Sequence, residues 1–239
     1  MSVLERLLKA IYPDRCPCCR QLKGIDEPCD DCAVVLKKQE ISGKVCRRCG
    51  LEKRFCCCSQ YHYLFEGVAA PFYNRDLAKD GVYGIKYKEA PFAAKYFGKR
   101  TAESFIKRFP DVKPDFVCCV PCYSKEARKK NYDAVEQLAK AVADELDLPL
   151  KLKALKKVRA TEKQHTLPQD KRQANVKGAY KPTARFDGKT VLLIDDIKTT
   201  GYTLNECSKQ LRMAGAEKVY CATALMTSKR QENALVKTR

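Results

Sequence analysis

Residues 191–203 read Val-Leu-Leu-Ile-Asp-Asp-Ile-Lys-Thr-Thr-Gly-Tyr-Thr, and no other stretch constrains the fold as tightly. The run 191–194 is continuously apolar, as a strand covered on both faces requires. Beyond it, Leu204, Cys207, Leu211 and Ala214 recur at helical spacing, and Gly215 is placed to end the helix. A strand over 190–195 therefore feeds a helix over 203–214 through a short loop. That loop lies at the carboxyl end of a strand and the amino end of a helix, where open α/β sheets bind ligands.

The residue types set the chemistry of the loop. Free N–H groups at a helix start, with the positive end of its dipole, favour an anion. Gly201 permits close backbone approach and a positive φ. The hydroxyls of Thr199, Thr200 and Thr203 can donate to phosphate oxygens. Asp195 and Asp196 would repel a bare phosphate at close range. They suit a ligand that has hydroxyls to donate and a metal to share, such as a ribose phosphate with Mg²⁺. The Gly-Lys-Ser/Thr of a Walker A loop is absent, and so is GxGxxG. The plainer reading is a strand–turn–helix corner with two solvated aspartates, but such a corner has no need of adjacent acids followed by Thr-Thr-Gly.

These thirteen residues resemble the phosphoribosyl pyrophosphate (PRPP) loop of type I phosphoribosyltransferases. The resemblance implies ribose hydroxyls on Asp195 and Asp196, and a 5-phosphate held by Lys198, Thr199, Thr200, Gly201, Tyr202 and Thr203.

Ten of the fifteen cysteines fall in residues 16–58. Two thiolates spaced two residues apart grip one tetrahedral Zn²⁺ from a tight turn, and a second pair completes the site. Cys16, Cys19, Cys29 and Cys32 make one set. Cys46, Cys49, Cys56 and Cys58 make a second, with Cys57 spare and His62 as a rival ligand. The clusters sit among charges rather than in apolar runs, which argues against merely buried thiols. A region so poor in aliphatic residues needs such staples to fold. The expected organisation is a double zinc ribbon with an amino-terminal helix (residues 2–11) over 1–60, then a second domain over 61–239.

Along the second domain, 63–73 reads as strand, 81–88 as a loop and 91–109 as a helix with Pro91 in its first turn. Residues 116–120 form a strand ending at a basic loop, where Lys125, Arg128 and Lys129 are candidates for a pyrophosphate; a solvated basic loop fits them as well. A helix over 133–146 follows, then strands over 152–158, 190–195 and 218–226. Alternating strands and helices give a parallel sheet with flanking helices, an α/β fold.

Formal net charge is +18, which favours polyanionic partners, solubility being the bland alternative. Residues 151–181 are the most basic window, with ten Lys and Arg against two acids. The opening apolar stretch is short and holds Glu5 and Arg6, unlike a secretory signal. No run is long enough to span a membrane. These features and the clustered thiols give the expectation of a cytoplasmic protein without membrane insertion.

Cysteine knuckles ahead of a PRPP loop resemble the ComF family, competence-associated phosphoribosyltransferase-like proteins with a double zinc ribbon. The segments 161–167 and 172–180, together with Phe65-Glu66-Gly67 and Ile85-Lys86-Tyr87, carry the resemblance further. Where the family usually has Gly-Phe-Asn-Gln, this chain has Asn131-Tyr132-Asp133-Ala134 and lacks the amide pair. The resemblance implies PRPP or a related ribose phosphate as ligand, zinc and Mg²⁺ as metals, and a role with single-stranded DNA in natural transformation, alongside other DNA-uptake proteins. Two alternatives stay open: an active phosphoribosyltransferase of nucleotide metabolism, and a non-catalytic zinc-ribbon DNA-binding adaptor.

Overall fold

The structure, a computed structural model, describes residues 15–22, 27–88, 90–122, 133–161 and 169–228. The helix expected at 2–11, the residues Lys125, Arg128 and Lys129, and most of the segment 161–167 lie outside these. In chain order the elements are α1 (Asp30–Lys37), a 3₁₀ turn (Lys53–Phe55), β1 (Gly67–Ala69), β2 (Phe72–Tyr73), α2 (Asp76–Lys88) and α3 (Pro91–Arg108). Then come β3 (Phe116–Cys119), α4 (Ala134–Leu146), β4 (Leu155–Lys157), α5 (Gln169–Val176), β5 (Tyr180–Pro182), β6 (Thr190–Lys198), α6 (Tyr202–Met213) and β7 (Lys218–Met226).

β6 and β7 form the centre of a wholly parallel five-stranded sheet. Its order is β1-β7-β6-β3, and β2 continues the β1 edge along β7. The expected single strand over 63–73 breaks into β1 and β2 around Ala70 and Pro71, because Pro71 has no N–H to give a ladder. β6 runs three residues further than expected: its ladder with β7 continues through Ile197↔Leu225 and Lys198↔Met226.

Alternation along the strands divides the core in two. Leu192 and Ile194 join Val117, Cys119, Ala222 and Ala224 on the face covered by α2, α3 and α4. Val191 and Leu193 join Phe116, Cys118, Val219 and Cys221 on the face covered by α6 and the β4–β5 ribbon. The first cysteine knuckle packs into the first cluster through Cys16, Cys18, Cys32 and Leu36. The second packs into the other through Cys49 and Leu51.

The loop expected over 81–88 is the carboxyl half of α2. Gly81 and Gly84 look like helix breakers in sequence, yet a Cβ at Gly81 would strike the Phe97 ring and one at Gly84 the Arg20 guanidinium. Close packing, with Val82 and Ile85 buried, outweighs their poor propensity. The polar stretch 159–181 contains α5 and β5. Arg159 fastens it by donating to the carbonyls of Asn175 (3.0 Å) and Lys177 (2.8 Å). At the departure from the family pattern, Asp133 caps α4, its carboxylate accepting from the N–H groups of Val135 (2.8 Å) and Glu136 (3.3 Å).

Gly98 on α3 separates the two readings of a helical glycine. Propensity alone favours Gly98→Ala by about 1 kcal/mol, but the new Cβ would collide with Ala141 on α4. Chemical denaturation is expected to show Gly98→Ala destabilised by roughly 1–3 kcal/mol, as for overpacking; a gain in stability would contradict this α3–α4 contact.

Candidate functional site

Two sets of groups concern function: the paired knuckles, and the loop where β6 enters α6. Both knuckles are built alike. In the first, Arg20 N–H donates to the Cys16 carbonyl and Cys16 N–H to the Gln21 carbonyl, each at 2.9 Å. In the second, Gly50 N–H donates to Cys46 (2.9 Å) and Cys46 N–H to Leu51 (2.8 Å). The residue after each Cys-x-x-Cys has positive φ, Arg20 at 65° and Gly50 at 77°. Cys29 N-caps α1, which brings Cys32 round on the first turn. The 3₁₀ turn delivers Cys56 and Cys58 to the second knuckle.

The sulfurs of Cys16, Cys19, Cys29 and Cys32 converge within 4.8 Å of one another, and so do those of Cys46, Cys49, Cys56 and Cys58. Tetrahedral zinc with Zn–S near 2.3 Å requires S···S edges of about 3.8 Å. Cys19–Cys29, Cys46–Cys58 and Cys49–Cys56 each stand at 3.7 Å. Both tetrads therefore suit structural zinc, and His62 is in neither. Burial pushes the Cys16 thiol up, but backbone N–H groups of Cys29, Cys19 and Cys18 win and lower it to about 6. At Cys46 burial is likewise outweighed, by the N–H groups of Cys49 and Arg48, giving about 7. Each knuckle thus holds one thiol predisposed to the thiolate a metal needs. Cys57 stays outside the second tetrad, its sulfur 3.5 Å from the Tyr63 hydroxyl.

At the other site, Asp195 is 8% exposed at the end of β6. Its Oδ1 accepts from Asp196 N–H (2.9 Å), and Asp196 Oδ1 accepts from Ile197 N–H (2.7 Å). Lys86 of α2 approaches Asp196 Oδ2 at 3.2 Å. Sequence reasoning gave Lys86 no role, although it lies in the Ile85-Lys86-Tyr87 segment. Gly201 sits at φ 86° and precedes α6. A Cβ there would press on the Tyr63 ring (3.1 Å) and on Lys198 Cε (3.2 Å). Tyr63 donates to the Thr200 carbonyl (3.1 Å) and fixes the loop from below. Asn205 ties α6 to the entering chain, accepting from Leu64 N–H (2.5 Å) and donating to the His62 carbonyl (3.2 Å). Thr199, Tyr202 and Thr203 are partly exposed, whereas Thr200 is buried and its hydroxyl has no partner among the described residues.

Lys198 departs from expectation. Its side chain is 1% exposed and its ammonium lies 5.5 Å over the Tyr63 ring, beneath the loop. Enclosed there, the ammonium is not placed to meet a phosphate. Burial pushes its pKa down, opposed by the sulfurs of Cys57, Cys49 and Cys58.

Residues 136–237 match the phosphoribosyl transferase domain family. The sheet and the β6 loop stand within a type I phosphoribosyltransferase fold. Competence protein F of Haemophilus influenzae is 33% identical over 109 residues, 44% of this chain and 48% of that protein. DNA utilization protein YhgH of Escherichia coli strain K12 is 27% identical over 106 residues, 44% of this chain and 47% of that protein. The match thus spans about half the length of these curated relatives. Among solved structures, a glutamine PRPP amidotransferase from B. subtilis aligns over 62% of this chain and 28% of that chain, at 24% identity and a TM-score of 0.38.

The acidic pair has a consequence for stability. Burial, and then the charge of Asp196, hold the Asp195 carboxyl well above the ordinary aspartate range. The native state disfavours its ionised form, so the associated cost grows as pH rises from the usual aspartate pKa of about 4 towards the raised native value. Asp195→Asn keeps an oxygen for Asp196 N–H and removes the charge. It is expected to melt about 2–4 °C higher at neutral pH, corresponding to roughly 1 kcal/mol, with the gap closing as pH falls to about 4. An equal gap across that range in thermal scans would contradict the assignment.

Proposed function

We propose that the β6–α6 loop binds PRPP or a related ribose phosphate, with Mg²⁺ shared between ligand and carboxylates. The observation that carries this reading is the placement of an acidic pair, Asp195 buried and Asp196 half-buried, and a Thr-Thr-Gly turn at the carboxyl edge of the sheet, leading directly into a helix N-terminus. In this reading Asp195 and Asp196 take the ribose hydroxyls, with Lys86 balancing their charge. Thr199, Thr200, Gly201, Tyr202 and Thr203 hold the 5-phosphate. Lys125, Arg128 and Lys129 remain the pyrophosphate candidates. Cys16, Cys19, Cys29 and Cys32 hold one structural zinc; Cys46, Cys49, Cys56 and Cys58 hold another. The four-sulfur sets leave no open position, so the metals serve folding rather than chemistry.

The relatives are named as a competence protein and DNA utilization proteins, and we propose that this protein handles single-stranded DNA in the cytoplasm in a related role. The β4–β5 ribbon supports that assignment. Lys156 and Lys181 are exposed and directly opposite in the antiparallel register, an arrangement that repels unless an anion lies between them. Lys153 and Lys177 add charge nearby, and both are exposed. Tyr63, Tyr96 and Tyr180 are buried and so are not available to stack on bases. No helix among the described residues is long and apolar enough to cross a membrane.

Titration calorimetry with PRPP and Mg²⁺ tests the loop. Asp195→Asn with Asp196→Asn is expected to weaken binding by about 1–3 kcal/mol, the scale of lost charge-assisted hydrogen bonds. Equal affinity in the double variant would make the loop a structural corner. Pyrophosphate release in the same mixture, with candidate bases added, separates an enzyme from a binder.

Metal analysis is expected to find two zinc ions per chain, and one after Cys16→Ser or Cys32→Ser; none in the native protein would refute both sites.

For DNA, log affinity for a single strand is expected to fall steeply with log salt. Charge reversal at Lys153, Lys156 and Lys181 is expected to flatten that slope. Arg159 is unsuitable for this test because it holds α5. Binding independent of salt would reduce the basic surface to solubility.

A further inference from the structure

Lys198 is a charged side chain enclosed by the protein. It is among the largest fully buried side chains, and its Nζ has no hydrogen-bond partner among the described residues. A buried charge without a counter-charge is strongly unfavourable. The Tyr63 ring, 5.5 Å away, offers a weak cation–π contact. The second knuckle lies beside it: Gly50 closely approaches the side chain of Met226, the β7 residue opposite Lys198 in the ladder, and the Tyr63 hydroxyl stands 3.5 Å from Cys57 Sγ. The sulfurs of Cys57, Cys49 and Cys58 there, and of Cys221 on β7, favour the cation against its burial. Two of these, Cys49 and Cys58, belong to the second tetrad. Four thiolates around Zn²⁺ carry a formal charge of −2. The metal-loaded knuckle is therefore the counter-charge that Lys198 otherwise lacks.

The same groups reach the loop. Lys198 is the last residue of β6, and its Cε sits 3.2 Å from where a Gly201 Cβ would be. Tyr63 spans the gap between the two sites, with its hydroxyl 3.5 Å from Cys57 Sγ and 3.1 Å from the Thr200 carbonyl. Its ring stacks on Phe65 at 4.7 Å, which holds it in place.

We infer that Lys198 is a positioning residue that joins the second zinc knuckle to the β6–α6 loop: its buried ammonium neutralises the zinc–thiolate cluster, and through it and Tyr63 the cluster holds the loop in its ligand-binding shape. Loss of that zinc leaves Lys198 buried without a counter-charge and loosens the loop. By linkage, a ligand that orders the loop slows departure of the same zinc. The linkage to the ligand rests on the ribose-phosphate reading of the loop; the pairing of Lys198 with the cluster does not.

The test is zinc release from the full chain to a chromogenic chelator, without any loop ligand. Lys198→Met keeps the length of the side chain and removes the charge, and suits an enclosed site. One of the two zinc equivalents is expected to leave at least about tenfold faster, the scale found for groups beside the ligands of a metal, while the other is unchanged. Release unchanged for both, or accelerated for both, would overturn the inference. Tyr63→Phe removes only the hydroxyl; it is expected to keep the slow release of both zincs but to weaken binding of ribose 5-phosphate with Mg²⁺, and unaltered binding would overturn the link to the loop. Ribose 5-phosphate binding to the native protein is measured alongside. If it does not bind there, the ribose-phosphate reading fails, while zinc release from Lys198→Met still decides the Lys198 pairing.

Discussion

The structure depends on β6 being covered on both faces. Val191 and Leu193 pack one way, Leu192 and Ile194 the other, and all four are fully buried. At about 1.5–3 kcal/mol for each such side chain, this strand anchors the sheet in both layers. Its ladder with β7 runs to Asp195, skips Asp196 and resumes at Ile197 and Lys198. The acids and the threonine turn are therefore presented from the most rigid element available, which is what a site that must hold a fixed geometry requires.

The two knuckles extend the same division. Each inserts its inner sulfurs into a different face of the sheet, so the cysteine region contributes to both cores rather than trailing from one end. The second knuckle has the closer relation to the loop, because Tyr63 bridges them. A cysteine cluster remote in sequence from residues 195–203 is brought close to them in space by Tyr63.

Much of this was legible in the sequence where the signal is local. The apolar run of β6, the periodicity of α6 and the Cys-x-x-Cys spacings report their surroundings through neighbours a few residues away. The helix over 133–146 was legible in the same way. What escaped depends on contacts distant along the chain. The stretch 81–88 read as a loop because nothing local shows the Phe97 ring against Gly81 or the Arg20 guanidinium against Gly84. Lys198 read as a phosphate ligand because its place in the motif says nothing of which way its side chain turns. Lys86 reaches Asp196 across 110 residues of sequence, a pairing that no spacing rule detects.

The central claim is that the loop after β6 is a ribose-phosphate site. Its most direct measurement is the backbone amide NMR spectrum of the native protein on addition of ribose 5-phosphate with Mg²⁺. The account predicts saturable shifts concentrated at residues 195–203 and at the first turn of α6, with the β4–β5 ribbon unmoved. Shifts confined to the ribbon, or an unchanged spectrum, would contradict it.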